Sequence, residues 1–472
     1  MSAKLTRIEM VIADVKSKIA TVIYTSGTRL PSVRAAAKNM GFSPSTIITA
    51  YERLQADGVI YSRAGSGFYV AEVSAPLSLA DVGPKLDRAV DPLWVSRQSL
   101  ETSSTVLKPG CGWLPPDWLY EAGMRRGLRS AAKAGVAVIS EYATPLGLLE
   151  LRQLLVRRMA GLGIDAQPSQ VMLTESGTQS IDLICRFLLT PGDTVIVDDP
   201  CYFNFHALLR AHRVQVVGVP YTENGADVAA FERLVQTHQP RLYITNAAIH
   251  NPTGATLAPA TAYRVLQLAQ AAGMYIIEDD IFADFETISA PRLAALDGLS
   301  KVFYIGSFSK TLSASLRCGY IAAPANCVED LLDLKIATGF GSGQLAAAVV
   351  LSALTDSGYR KHMSAVHNRL ASARNQVVQR LAKLGIVPWL MPQAGMFLWC
   401  RLPDDNNASI LANYCMSHDV VLAPGNAFSQ SQSAEHFMRF NVAQATDPRI
   451  FEVLSQALTA KHSLVSPPKI NP

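Results

Sequence analysis

Between residues 72 and 105 the chain carries no sustained hydrophobic period, and Pro76, Gly83, Pro84 and Pro92 fall among scattered charges. Proline removes a backbone donor and fixes φ, so such a stretch cannot hold a long helix or a central strand. The sequence predicts a linker over 74–105, with a short helix near 90–99. A chain of 472 residues is too long for one ordinary hydrophobic core. The linker divides it into a small module at 1–73 and a large one at 106–464, with 465–472 as a tail.

The two modules differ in period. In the first, Ile8, Val11, Ile12, Val15 and Ile19 form one apolar stripe at helical spacing. A second helix is expected through residues 32–40, stopped by Gly41. A third runs from Pro44 to about Ala56, with Ser43 as its cap. It turns Ile47, Ala50, Tyr51 and Leu54 inward and leaves Ser45, Thr46 and Thr49 outward. Two short strands then flank the turn Arg-Ala-Gly-Ser-Gly at 63–67. In the second module, strand-like segments at 170–174, 194–197, 214–219, 241–245, 274–278 and 301–306 alternate with helices such as 259–272. That alternation predicts an α/β domain around a mostly parallel sheet.

Charge and cysteine content narrow the classes further. Residues 1–75 hold nine basic and five acidic side chains, and the remainder holds 33 of each. The net charge of +4 therefore lies in the first sixth of the chain, which points that end toward a polyanion. Seven cysteines without a CxxC pair argue against a disulfide framework or a zinc finger, and no metal site is expected. Hydrophobic residues at 49% against 17% charged exclude a disordered chain. The opening MSAKLTRIEM has no long apolar segment, and no apolar run approaches about 18 residues. A soluble, cytoplasmic protein with no membrane partner is expected.

The string LPSVRAAAKNMGFSPSTIITAYERLQADGVIYSRAGSGFYV resembles the winged helix-turn-helix of the GntR family of bacterial regulators, over residues 4–73. The resemblance implies double-stranded DNA as a partner. It places Arg34 and the start of the third helix (Ser43, Ser45 and Thr46) against DNA, with Arg63 and Gly65 where the wing approaches the minor groove. Many family members carry a basic residue where this chain has Pro44.

Over 106–464 the chain resembles the fold type I aminotransferases, whose cofactor is pyridoxal 5'-phosphate (PLP). The motifs stand in the family's order. They are Tyr142-Ala-Thr-Pro-Leu-Gly147, Glu175-Ser-Gly-Thr-Gln179, Asp198-Asp-Pro-Cys-Tyr202 and His250-Asn251-Pro-Thr-Gly254. Glu278-Asp279-Asp280, Ser307-Phe-Ser-Lys310 with Arg317-Cys-Gly-Tyr320, and Met438-Arg439-Phe-Asn-Val442 follow. PLP chemistry needs a lysine amine that condenses with the cofactor aldehyde, and by the family pattern that lysine is Lys310. Ser307, Ser309 and Arg317 would hold the phosphate from one side, and Gly177, Thr178 and Gln179 from a helix N-terminus. Asn251 would donate to the phenolic oxygen, Asp279 would keep the pyridine nitrogen protonated, and Tyr202 would stack on the ring. Tyr142 would reach the cofactor phosphate of a neighbouring subunit, which implies a homodimer. Arg439 would clamp the carboxylate of a small amino compound.

One departure follows Asp279. Relatives usually carry a tyrosine two or three residues later, hydrogen-bonded to the phenolic oxygen; this chain has Ile281 and Phe282, and neither can donate. The combination resembles the MocR subfamily, and the expected fold class is multi-domain. An N-terminal winged helix-turn-helix (α+β) is joined to an α/β fold type I PLP-dependent aminotransferase-like domain. The resemblance implies a PLP-dependent, DNA-binding transcriptional regulator that senses an amino compound. A catalytically active aminotransferase with an accessory N-terminal domain is the alternative.

Overall fold

The computed structural model describes residues 6–20, 24, 27–63, 65–71, 92–101, 103, 105–133, 135 and 140–460. Contacts group the chain into two units, 1–81 and 82–472. In the small unit, α1 (Arg7–Ala20), α2 (Val33–Met40) and α3 (Pro44–Ala56) pack around Val11, Val15, Leu30, Ile47, Tyr51 and Leu54. The hydroxyl of Ser32 caps α2 by accepting the Ala35 N–H at 3.2 Å. Gly41 ends the helix in the left-handed region at φ 67°, where a side chain would be strained. Ser43 then accepts the Thr46 N–H at 3.3 Å, and Pro44 opens α3 with φ already helical. β1 (Ile60–Arg63) and β2 (Gly67–Val70) form an antiparallel hairpin, with Ile60 opposite Val70 and Arg63 opposite Gly67.

The large unit is built on an eight-stranded sheet. Its strands are β3 (Val171–Thr174), β4 (Thr194–Asp199), β5 (Gln215–Thr222), β6 (Gly225–Ala226), β7 (Leu242–Thr245), β8 (Tyr275–Asp279), β9 (Val302–Ser307) and β10 (Gly319–Ala322). The order is β3-β10-β9-β8-β7-β4-β5-β6. From β5 through β4, β7 and β8 to β9 neighbouring strands are parallel. Their apolar runs, such as Val195–Val197 and Val302–Ile305, are buried on both faces, as expected of a parallel sheet covered by helices. Parallel pairing brings Asp198 and Asp199, Thr245, Asp279 and Ser307 to one edge of the sheet. That edge is where open α/β sheets bind ligands.

Two features differ from the expected alternation. β10 runs antiparallel between β3 and β9. A second, antiparallel sheet of β11 (Val387–Pro388), β12 (Phe397–Arg401), β13 (Ala423–Pro424) and β14 (Phe437–Asn441) sets Trp399 opposite Arg439. These strands span five residues at most, too few for a local period to announce them. Of the expected linker, 74–91 lie outside the described residues, as does the tail 465–472. Residues 92–101 form α4 (Pro92–Glu101), which packs on the helix Phe203–Ala211 of the large unit. No single helix among the described residues is long and apolar enough to cross a membrane.

Gly110 marks where the chain entering the large unit passes closest to the second sheet. A Cβ there would lie 2.5 Å from Ala423 N and from Leu422 C, both backbone atoms. Gly110→Ala is expected to destabilise the large unit by on the order of 3 kcal/mol through overpacking. Gly135→Ala, with nothing within 4 Å of the new carbon, should leave it unchanged. Calorimetric unfolding of the two variants beside the unmodified chain checks this.

Candidate functional site

The strand edge opens into a cavity of about 250 Å³ whose lining includes Gly177, Thr178, Tyr202, Asp279, Ser307, Ser309, Lys310 and Arg317. The helix Gly177–Leu188 points its N-terminus into the cavity, and its Ser176 cap accepts the Gln179 N–H at 3.1 Å. The first N–H groups of such a helix have no intrahelical acceptor, so this end favours an anion. A Cβ on Gly177 would lie 3.2 Å from Ile281 Cγ2, so the wall is already close-packed there. At the end of β9, Ser307 and Ser309 share a hydrogen bond at 3.1 Å. Arg317 is held in the left-handed region at φ 48°. Two hydroxyls, a guanidinium and a helix N-terminus are the donor set that a phosphate dianion takes.

Three consecutive acids at the end of β8 do three different things. Glu278 accepts the N–H groups of Leu293 and Ala294, both at 2.8 Å, and so fixes the helix Leu293–Asp297. Asp280 pairs with the buried Arg292 at 2.8 Å and accepts the Tyr304 hydroxyl at 2.6 Å. Asp279 alone lines the cavity, and burial pushes its carboxyl up to about 7. An ionised Asp279 is costly there without a cation, and a protonated ring nitrogen is such a cation. Lys310 lines the same space. Burial first, then the neighbouring Arg439 charge, lowers its amine to about 8. About a tenth is therefore the free, nucleophilic base at pH 7, far more than for an ordinary lysine.

An adjoining chamber is lined by Tyr202, Asn251, Lys310 and Arg439. Arg439 reaches it from β14 and is 1% exposed. It donates to Asn251 Oδ1 at 2.8 Å and to the Gly110 carbonyl at 2.6 Å. Its guanidinium lies 4.4 Å from the centre of the Phe397 ring and 4.7 Å from that of Phe428. Burial lowers its pKa to about 10, so it stays cationic at neutral pH. No carboxylate pairs with it among the described residues, and its Nε has no hydrogen-bond partner. Such a charge calls for an anionic ligand. Asn251 is oriented by its bond to Arg439. Its neighbour His250 is stacked on Tyr221 at 3.6 Å and bonded to the Thr253 hydroxyl at 2.7 Å.

Of the residues expected at the cofactor, Gln179 lies outside both spaces, and Tyr142, expected at a neighbouring subunit's phosphate, lies on the surface of its own. Gln179 is turned away, because its N–H goes to Ser176 and its side chain accepts the Glu175 N–H at 2.6 Å. Tyr142 is 85% exposed and stacks on Phe340 with ring centres 5.5 Å apart. Phe282 does face the chamber, and Ile281 borders both spaces. Residues not anticipated from the sequence also line them: Ser176 and Leu100 in the first, Ser99, Cys111 and Phe203 in the second, and Trp113 in both. Gly112 does too; a Cβ on it would lie 3.7 Å from Lys310 Nζ and 3.9 Å from Arg439 Nη2. Only the Gly110–Gly112 pair hinted at a close approach.

In the small unit, Arg34, Ser43, Ser45, Arg63 and Gly65 are exposed and Thr46 is half-buried. Ser43 Oγ lies 2.9 Å from the Ser45 hydroxyl and 2.8 Å from that of Thr46, a linked polar cluster at the start of α3. Arg63 lies over the stacked rings of Tyr61 and Tyr69, at 5.6 and 5.1 Å. Gly65 takes φ 70° at the hairpin tip.

An open α/β sheet with a lysine, a buried carboxylate and a helix N-terminus around one cavity defines an aminotransferase-like protein. In this chain it is preceded by a winged helix-turn-helix. Residues 123–456 match the family described as aminotransferase class I and II, and the chain belongs to that family. Residues 7–70 match the bacterial regulatory proteins of the gntR family and form a helix-turn-helix domain of that type. The chain is 27% identical over 456 residues to the HTH-type transcriptional regulator YdfD of Bacillus subtilis, covering 94% of each. It is 28% identical over 438 residues to YdcR of Escherichia coli, covering 91% of this chain and 93% of the relative. For NorG of Staphylococcus aureus the identity is 26% over 445 residues, covering 91% and 99%. Among solved structures, the fold is similar to the α-aminoadipate aminotransferase LysN of Thermus thermophilus, with a TM-score of 0.70 at 23% identity over 79% of this chain and 96% of that one. It is also similar to an archaeal alanine:glyoxylate aminotransferase, with a TM-score of 0.72 at 23% identity over 82% and 96%. The LysN structure holds N-(5'-phosphopyridoxyl)-L-leucine.

The lowered pKa of Lys310 sets a pH dependence. Below about 8 most of the amine is protonated, and above it most is free. The initial rate at which the cofactor-free chain captures PLP should rise on the order of tenfold per pH unit well below 8, then level off. Stopped-flow absorbance between pH 6 and 10 checks this. A rise continuing to pH 10 would mean an ordinary lysine.

Proposed function

We propose that this protein is a PLP-dependent transcriptional regulator of the MocR type, a cytoplasmic homodimer that binds double-stranded DNA and senses a small amino compound. The observation that carries the reading is the union, in one chain, of a GntR-type reader and a site in which Lys310, Asp279 and the unpaired Arg439 surround connected spaces. Relatives with the same span are named as transcriptional regulators. Bound PLP supplies an aldehyde that takes an amino group and a ring that withdraws electrons.

This chain's residues would supply the rest. Lys310 holds the aldehyde, and Asp279 keeps a proton on the ring nitrogen. Gly177 and Thr178, with Ser307, Ser309 and Arg317, take the phosphate, and Tyr202 stacks on the ring. Asn251 donates to the phenolic oxygen, and Arg439 takes the carboxylate of the amino compound. Tyr142 of each protomer, exposed on its own subunit, is available to the partner's phosphate. Arg34, Ser43, Ser45 and Thr46 face DNA, with Arg63 and Gly65 at the wing. Ile281 and Phe282 offer no hydrogen bond beside the ring, which favours a sensor over a fast transaminase.

DNase footprinting on the DNA upstream of the protein's own gene, with and without PLP, tests the reading. Protection of paired half-sites is expected, and its absence under all conditions would overturn DNA recognition. Arg34→Ala should weaken binding to that DNA about tenfold in fluorescence anisotropy, in line with about 1–3 kcal/mol for an arginine contact. Lys310→Ala should lose the cofactor absorbance band while the reader stays folded.

A further inference from the structure

Two buried polar atoms without partners border the same chamber. One is Arg439 Nε; the other is the hydroxyl of Ser99, on α4, in a residue only 3% exposed. A serine inside a helix usually returns its hydroxyl to the carbonyl one turn back. Among the described residues Ser99 Oγ has no hydrogen-bond partner. Leaving such a group buried and unpaired is unfavourable, and native proteins seldom do so without a ligand or a strain-related reason.

The rest of the chamber wall is uncharged. Trp113, Phe203, Ile281 and Phe282 face it, and among the described lining residues the only charged side chains are Lys310 and Arg439. Arg439 can meet one carboxylate. With Lys310 holding the cofactor aldehyde, a second carboxylate on the ligand would have no cation left to meet, and a side-chain ammonium would meet Arg439 with no carboxylate beside it among the lining residues. Either would be desolvated without compensation. An uncharged side chain escapes that cost against the aromatic wall.

We propose that the ligand is an α-amino monocarboxylate with an uncharged side chain, and that the Ser99 hydroxyl of α4 hydrogen-bonds it. This inference rests on the regulator reading above. It adds a consequence specific to this fold. In sequence, α4 is the first described element after the winged module, so the segment leading from the DNA reader itself touches the ligand. Leu100, the next residue, lines the cofactor cavity and places the same helix against both spaces.

The test uses the full-length chain loaded with PLP. Alanine, leucine and phenylalanine are compared with aspartate, glutamate and lysine by isothermal calorimetry, with anisotropy on the footprinted DNA in parallel. The tightest ligand is expected among the first three, at least tenfold tighter than any of the charged ones. Ser99→Ala should raise its Kd roughly 5- to 20-fold, and Ser99→Thr, which keeps the hydroxyl, should recover most of the loss. A charged amino acid binding as tightly as the neutral ones overturns the ligand class. An unchanged Kd in Ser99→Ala, or a loss in Ser99→Thr equal to that in Ser99→Ala, overturns the hydrogen bond. Failure of the unmodified chain to take up PLP would sink the underlying reading instead, and that result is seen before any amino acid is added.

Discussion

Arg439 carries a full positive charge to a position that is 1% exposed, with no carboxylate beside it among the described residues. A lone buried ion of this kind is tolerated only where its surroundings are fixed. Three distant segments fix it. β14 supplies the residue, the loop after β7 supplies Asn251 Oδ1, and the chain entering the large unit supplies the Gly110 carbonyl. The faces of Phe397 and Phe428 add cation–π attraction. The second sheet is therefore more than a cover for the large one, because it delivers the charge that organises the ligand chamber. The same charge helps to lower Lys310, so the anion site and the nucleophile are electrostatically linked. An anion that neutralises Arg439 would make the Lys310 amine more basic, since one of the causes of its depression would be removed.

The acids at the end of β8 show how one sheet edge divides labour. Burial raises all three, Glu278 to about 7, Asp279 to about 7 and Asp280 to about 6. Alternation along the strand and its exit decides what each meets. Glu278 turns toward two backbone N–H groups and Asp280 toward Arg292 and Tyr304. Asp279 is left with the Asn246 side chain and the Ile281 N–H, the latter at a long 3.3 Å, and with no bonded cation among the described residues. Its environment is the one that an incoming cation improves most. Glu278 and Asp280 act as scaffold that holds it in place.

Local chemistry makes part of this legible in the sequence. Ser32, Gly41, Ser43 and Pro44 punctuate the reader through bonds within three residues, so caps and turn follow from neighbouring identities. Lys310, Asp279 and Asn251 are named through the resemblance of their motifs to the fold type I aminotransferases, and the structure brings them to two adjoining spaces. What escaped depends on distance or on a rotamer. Gln179 lies in the right motif, yet its side chain folds back on Glu175, and sequence does not reveal that choice. β10 is four residues long and pairs with β3, far back in the chain. Ser99 looked like an unremarkable position in a short helix within a linker. Its meaning comes from packing against the helix Phe203–Ala211, some hundred positions on in the sequence.

That placement bears on how a cofactor domain becomes a switch. A ligand shifts an equilibrium only as far as it distinguishes the two states, and a tenfold change in DNA affinity needs about 1.4 kcal/mol of such difference. Satisfying one buried, unpaired donor is worth about 1–3 kcal/mol. The chamber offers two, Arg439 Nε and Ser99 Oγ, and they sit on different elements, β14 and α4. A ligand that meets both ties α4 to the second sheet in a way that the free chamber does not. Ligand binding at both groups would thus supply a free-energy difference of the size that a tenfold change requires. The wall residues Ile281 and Phe282 point the same way. A sensor gains from holding its ligand, and an apolar wall beside the ring supplies no added proton donor to drive turnover.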